Sequence, residues 1–162
     1  MKILISAAAL VGGTIVSGCA SSTTEAVMRL DPARAQSVGL GEVVVTDESG
    51  ATSATMVPTM TAAIRAKVAN CARGNAPTRF EVRVTELTGQ NAAKTLLLGD
   101  AARARGTVKL IDTATGATIG DYDLNHSKGG GGVIGMIALA DAERDMGNAF
   151  GDQICNRILA GR

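Results

Sequence analysis

The sequence predicts an α+β domain: a mostly antiparallel four-stranded sheet with two helices on one face, in the order β-α-β-β-β-α. Three observations predict it. Apolar and polar residues alternate over 79–87 and again over 102–112. Apolar residues recur at threes and fours over 55–73 and 136–160, the period of a helix face. A turn sequence, Asp112-Thr-Ala-Thr-Gly116, separates the second alternating run from a third.

The elements follow in order. Residues 25–38 hold room for a short helical turn. Val43-Val44-Val45, between Gly41 and Asp47, is a run of β-branched residues suited to a buried strand. Val57, Met60, Ile64, Val68 and Cys71 then mark one face of a helix, with Pro58 in its first turn and Gly74 as its C-terminal cap. In the next strand Phe80, Val82 and Val84 point inward, and Arg79, Glu81, Arg83 and Thr85 outward. Over 102–112, Ala102, Ala104, Gly106, Val108 and Leu110 share the inner face, and Arg103, Arg105, Thr107 and Lys109 the outer. A turn centred on Ala114 and Thr115 sets Lys109 opposite Asp121, Ile111 opposite Ile119 and Val108 opposite Tyr122. Apolar then meets apolar and plus meets minus, which supports that register over 117–126.

Lys128-Gly129-Gly-Gly-Gly132 reads as a flexible run. The last helix carries Met136, Leu139, Met146, Phe150, Ile154 and Ile158 on one stripe and Gly147, Gly151 and Cys155 on another. Each mid-helix glycine costs about 1 kcal/mol against alanine, so close approach of another backbone is the expected offset. Alternating directions make the two helices parallel, with their C-terminal ends together. That arrangement brings Cys71 to Cys155, and the pair is expected as a disulfide, worth roughly 4–5 kcal/mol by loop-closure entropy.

The first residues specify an address. Met1-Lys2 is a short positive start and Ile3 to Val16 is apolar and uncharged. That run is shorter than the roughly 20 residues a membrane span needs. Together with Ser17 and Gly18 it forms a secretory signal peptide over 1–18. Val16-Ser17-Gly18-Cys19 resembles the lipobox of bacterial lipoproteins. The resemblance implies that Cys19 receives a diacylglyceryl group, becomes the first mature residue and is acylated on its amine. The protein's membrane partner would then be reached through acyl chains. Position 20 is Ala rather than Asp, which by the same resemblance favours the outer membrane, with the domain facing the periplasm. Residues 19–38, starting Cys19-Ala-Ser-Ser-Thr-Thr, read as a lipidated flexible tether, and 39–162 as one periplasmic domain. An oxidising compartment suits the predicted disulfide.

Composition excludes several functions. Sixteen Lys and Arg stand against fifteen Asp and Glu, and one of the sixteen, Lys2, lies in the signal peptide. A chain without net charge makes no electrostatic case for nucleic acid. With two Phe, one Tyr and no Trp, stacking platforms for bases or sugars are nearly absent. With one histidine, His126, a multi-histidine metal site is excluded, and no cofactor is expected. The glycine run lacks the Lys-Ser/Thr that a phosphate loop needs after its last glycine, and Ala93-Lys94-Thr95 lacks the glycines. His126 as a catalytic base needs a nucleophile and an orienting acid, and no Gly-x-Ser-x-Gly is present. Asp121 and Asp123 share a strand face where paired carboxylates serve acid–base work or answer nearby basic residues. Asp141, Glu143 and Asp145 lack the spacing of a calcium loop and suit a helix N-terminus instead.

Arg79, Arg83, Arg103, Arg105 and Lys109 are expected on the sheet face that the helices leave open, either as a plain solvated face or as a docking surface for an acidic partner, or for lipid A phosphates or peptidoglycan acids, the partner being an envelope protein or polymer. Residues 79–158 also resemble a family of small proteobacterial lipoproteins defined by a domain without assigned activity. The shared pattern is an apolar strand ending in Asp, a Thr-Gly turn as at Thr115-Gly116, a return strand and a glycine cluster. The resulting expectation is a lipid-anchored, non-catalytic binding or assembly module. An auxiliary subunit of an envelope transport or secretion complex and an enzyme acting on envelope polymers are the alternatives.

Overall fold

The structure, a computed structural model, describes residues 20–50, 53–88, 101–129 and 141–160. Over these the class is α+β, as expected, but the sheet has five strands rather than four and is mixed. The elements are β1 (Ala20–Met28), α1 (Pro32–Ala35), β2 (Val38–Asp47), α2 (Met56–Val68), β3 (Ala76–Thr88), β4 (Ala101–Asp112), β5 (Thr118–Gly129) and α3 (Ala142–Gln153). The last of these runs on into a π-type turn over Ile154–Leu159. Strand order is β1-β5-β4-β3-β2.

The added strand is β1. Residues 20–28, expected as tether, pair antiparallel with β5, from Ala20 opposite Lys128 to Ala26 opposite Tyr122. Thr and Val favour strands, but the deciding factor is that β5 presents an otherwise unpaired edge whose N–H and C=O groups β1 satisfies. After β1 the chain is pinned again, where the Leu30 N–H donates to the Tyr122 hydroxyl at 2.6 Å. Asp31 then caps α1, its carboxylate accepting from the Ala33 and Arg34 N–H groups, with Pro32 in the first turn.

β2 is longer than its three valines and runs parallel to β3, because α2 carries the chain back between them. β3, β4 and β5 form the expected antiparallel meander. Lys109 faces Asp121 and Val108 faces Tyr122 as the turn geometry requires. Beyond Leu110 the register slips, and Ile111 faces Thr118 rather than Ile119. Gly116 takes φ +72°, and the Asp112 carboxylate accepts from the Ala114 and Thr115 N–H groups. β5 also runs on through Lys128 and Gly129, the first two residues of the expected flexible run.

α2 ends at Val68, with Ala69 and not Gly74 as its C-cap. Gly74 serves a different need: a Cβ there would stand 2.1 Å from the Ser37 carbonyl, where the entries to β2 and β3 touch. α2 and α3 lie on one sheet face and run parallel, since 60–63 meets 147, 64–67 meets 151 and Cys71 meets Cys155. Their apolar stripes and the inner sheet face enclose one core. Phe80, Phe150, Met56, Met60, Ile64, Leu110, Leu124 and Ile154 are fully buried in it. Each such side chain contributes about 1.5–3 kcal/mol by transfer from water. Among the described residues no helix is long and apolar enough to cross a membrane.

Candidate functional site

The five predicted cations do share the open sheet face. Arg79, Arg83, Arg103, Arg105 and Lys109 occupy the outward positions of β3 and β4, between inward Phe80, Val82, Val84, Ala104 and Val108. The structure also supplies acids that answer them. Arg79 lies 2.8 Å from Glu81, Arg83 3.6 Å from Glu48, Arg105 3.4 Å from Glu86 and Lys109 3.6 Å from Asp121. Among the described residues Arg103 alone of the five has no acidic partner. Exposed pairs of this kind contribute about 0–1 kcal/mol each, so they neutralise the face more than they stabilise it. Glu81 was legible two positions from Arg79 on one strand. Glu48 arrives from the end of β2, and only the tertiary structure places it.

β1 extends this face. Three rungs cross β4, β5 and β1: Arg103–Ser127–Ser21, Arg105–Asn125–Thr23 and Thr107–Asp123–Glu25. Together they line a shallow groove of about 540 Å³. It holds guanidinium, amide and hydroxyl donors beside two carboxylates, Asp123 and Glu25, which stand directly opposite each other. Like charges so placed destabilise the pair, and hydrogen-bond donors from a bound group would relieve that. Sequence reasoning missed Ser21, Thr23 and Glu25. Their alternation was present, but at a polar edge strand both faces are polar and the pattern carries no signal.

His126 stands on the opposite face. Strand alternation turns Asp121 and Asp123 outward and Tyr122, Leu124 and His126 toward the helices, so the candidate acid–base set is not assembled. The imidazole Nδ1 lies 2.9 Å from the Ser22 hydroxyl. That is the distance of a nucleophile–base pair, but no carboxylate among the described residues hydrogen-bonds the other ring nitrogen to orient it. Burial pushes its pKa below the ordinary 6.5, the Lys128 ammonium adds to this, and Asp145 opposes it. Beside it Gln153 is buried, its carbonyl accepting from the Thr24 hydroxyl at 2.9 Å while its Nε2 is left without a partner. Ser22 and Thr24 thus hold β1 to two buried polar groups, which explains why the inner face of this strand is not apolar.

Asp141, Glu143 and Asp145 do begin a helix, with Asp141 at the N-cap position. Asp145 pairs with Lys128 at 2.6 Å, and Glu143 accepts from the Ser53 and Thr55 hydroxyls. Among the described residues no group of three or more His, Cys, Asp or Glu could hold a metal. Cys71 and Cys155 are joined by a disulfide with Cα atoms 5.6 Å apart. Cys19, the expected signal peptide over 1–18, Lys94, Thr95, Gly130 to Gly132, and Met136 and Leu139 of the expected helix stripe lie outside the described residues.

No protein family matches the chain, and neither does any curated protein. Among solved structures, the PelC dodecamer from Paraburkholderia phytofirmans in space group P6 is similar at 13% identity and a TM-score of 0.44, covering 82% of this chain and 94% of that one. A PelC variant dodecamer from the same organism, in space group C2, is similar at 10% identity and a TM-score of 0.43, covering 81% and 97%. At such identity and TM-score the likeness says nothing of this chain's activity.

Proposed function

We propose that this chain is a lipid-anchored cell-envelope protein, attached through acyl chains on Cys19, whose domain binds or assembles with an envelope protein or polymer and does not catalyse. The anchor rests on the resemblance of Val16-Ser17-Gly18-Cys19 to a lipobox, and Ala20 in place of Asp favours the outer membrane, with the domain facing the periplasm. Three acyl chains, at about 0.8 kcal/mol for each buried methylene, make the attachment effectively permanent.

The observation that carries the binding half is the division of chemistry across β5. His126 faces the helices, while Arg103, Arg105, Thr107, Asp123, Asn125, Ser21, Thr23 and Glu25 line a groove on the face that carries no helix among the described residues. Such a face recognises a polar partner by many hydrogen bonds, and its internal ion pairs favour partners matched in pattern over any strong polyanion. The cationic surface expected from sequence therefore narrows to the Arg103 and Arg105 end.

Intact mass of the native product and crosslinking in cells test both halves. A Cys19 mass carrying acyl chains is expected, and Arg103→Glu with Arg105→Glu should reduce partner crosslinks without unfolding the domain. An unmodified N-terminus overturns the anchor, and unchanged crosslinks overturn this surface.

A further inference from the structure

Ala20 follows Cys19 directly and is already paired with Lys128 in the sheet. A flexible tether of about twenty residues would span roughly 25 Å and let the domain tumble clear of a bilayer. One residue reaches only about 3.6 Å. The cross-strand register shows which part of the domain is held so short. Lys128 faces Ala102, and Thr88 faces Arg103. The starts of β1 and β4 and the ends of β3 and β5 therefore form one end of the sheet. α3 begins there too, with Asp145 on Lys128.

The opposite end carries the Asp112–Ala117 turn, bonded to Pro77 at the start of β3, and the C-terminal ends of both helices with their disulfide. Twelve residues of β5 separate the two ends by about 40 Å, at ~3.3 Å per residue.

We infer that the end of the sheet where β1 begins is a membrane-docking surface, held against the phospholipid headgroups, with the strands rising from the bilayer and the Asp112–Ala117 turn and the disulfide farthest from it. This rests on the acyl anchor proposed above. The orientation comes from covalent geometry. Charge is a minor contributor, because Lys128 is paired with Asp145 and Arg144 with Asp141, which leaves Arg103 as a single unanswered cation among the described residues at this end. High salt, which shortens the screening length to about 3 Å at 1 M, should leave it unchanged.

The test uses the full acylated protein in phosphatidylethanolamine–phosphatidylglycerol vesicles doped with a headgroup-nitroxide lipid. Thr88→Cys at the near end and Ala114→Cys at the far turn each carry a fluorophore, with Cys71 and Cys155 protected as the disulfide. Quenching is expected to be several-fold stronger at position 88 than at 114, in low and in 1 M salt, and the gap should close when a Gly/Ser spacer of about twenty residues is inserted after Cys19. Equal quenching at both positions, a gap abolished by salt, or a gap that survives the spacer overturns the inference. Absence of acyl mass on Cys19 removes the anchor and the inference together, whereas acylated protein with equal quenching removes the inference alone.

Discussion

Gly147 of α3 packs onto Ala63 of α2 so closely that a Cβ at position 147 would stand 2.8 Å from the Ala63 Cβ and 3.1 Å from the Met60 Cα. The glycine stripe is the seam along which the two parallel helices approach. The seam continues at Gly151 against Lys67 and ends in the Cys71–Cys155 disulfide. Alanine at 147 would recover about 1 kcal/mol of helix propensity. It would also meet backbone that cannot move without parting the helices, an overpacking cost of about 1–3 kcal/mol. The expected outcome for Gly147→Ala is a net loss of about 1 kcal/mol in urea unfolding. A gain would show that the helices separate freely.

The disulfide closes a loop between cysteines 84 apart. Its removal by Cys71→Ala with Cys155→Ala should lower unfolding free energy by about 2–5 kcal/mol. Alkylation of the native, non-reduced mature protein should find no reactive thiol. Two modified thiols per chain would show that the bond does not form in the cell.

His126 predicts a pH dependence. Burial and Lys128 lower its pKa in the folded protein, so the unfolded chain binds the proton more readily. Stability attributable to this group is complete above 6.5 and is lost as pH falls from there through the lowered folded value. Unfolding free energy should drop between pH 7.5 and pH 5, and drop less in His126→Gln. An identical drop in both proteins would mean that the imidazole takes no part.

Much of this architecture was legible from local pattern. Lys109 opposite Asp121 followed from the position of one turn, because antiparallel pairing is arithmetic once the turn is placed. The parallel helices followed from alternating directions along the chain, and the glycine stripe marked where they touch. What escaped were pairings decided at a distance. Ser21, Thr23 and Glu25 read as tether because their strand is stabilised by the β5 edge and by His126 and Gln153, about a hundred residues away. Gly74 read as a helix cap because a glycine needed for close backbone approach looks the same in sequence as one needed for a turn.

By itself, then, the amino-acid order determined the class, the central hairpin and the faces of the helices where they are described, all of which depend on short-range periodicity or a local motif, and it carries the lipobox resemblance on which the proposed anchor rests. Only the tertiary structure decided that residues 20–28 form an edge strand of the sheet, that Glu48 and Glu86 answer Arg83 and Arg105, and that His126 and Asp123 look in opposite directions from a groove β1 helps to build. Those outcomes depend on which strand completes an unpaired edge, and backbone hydrogen bonding between distant segments leaves no periodic trace in either one.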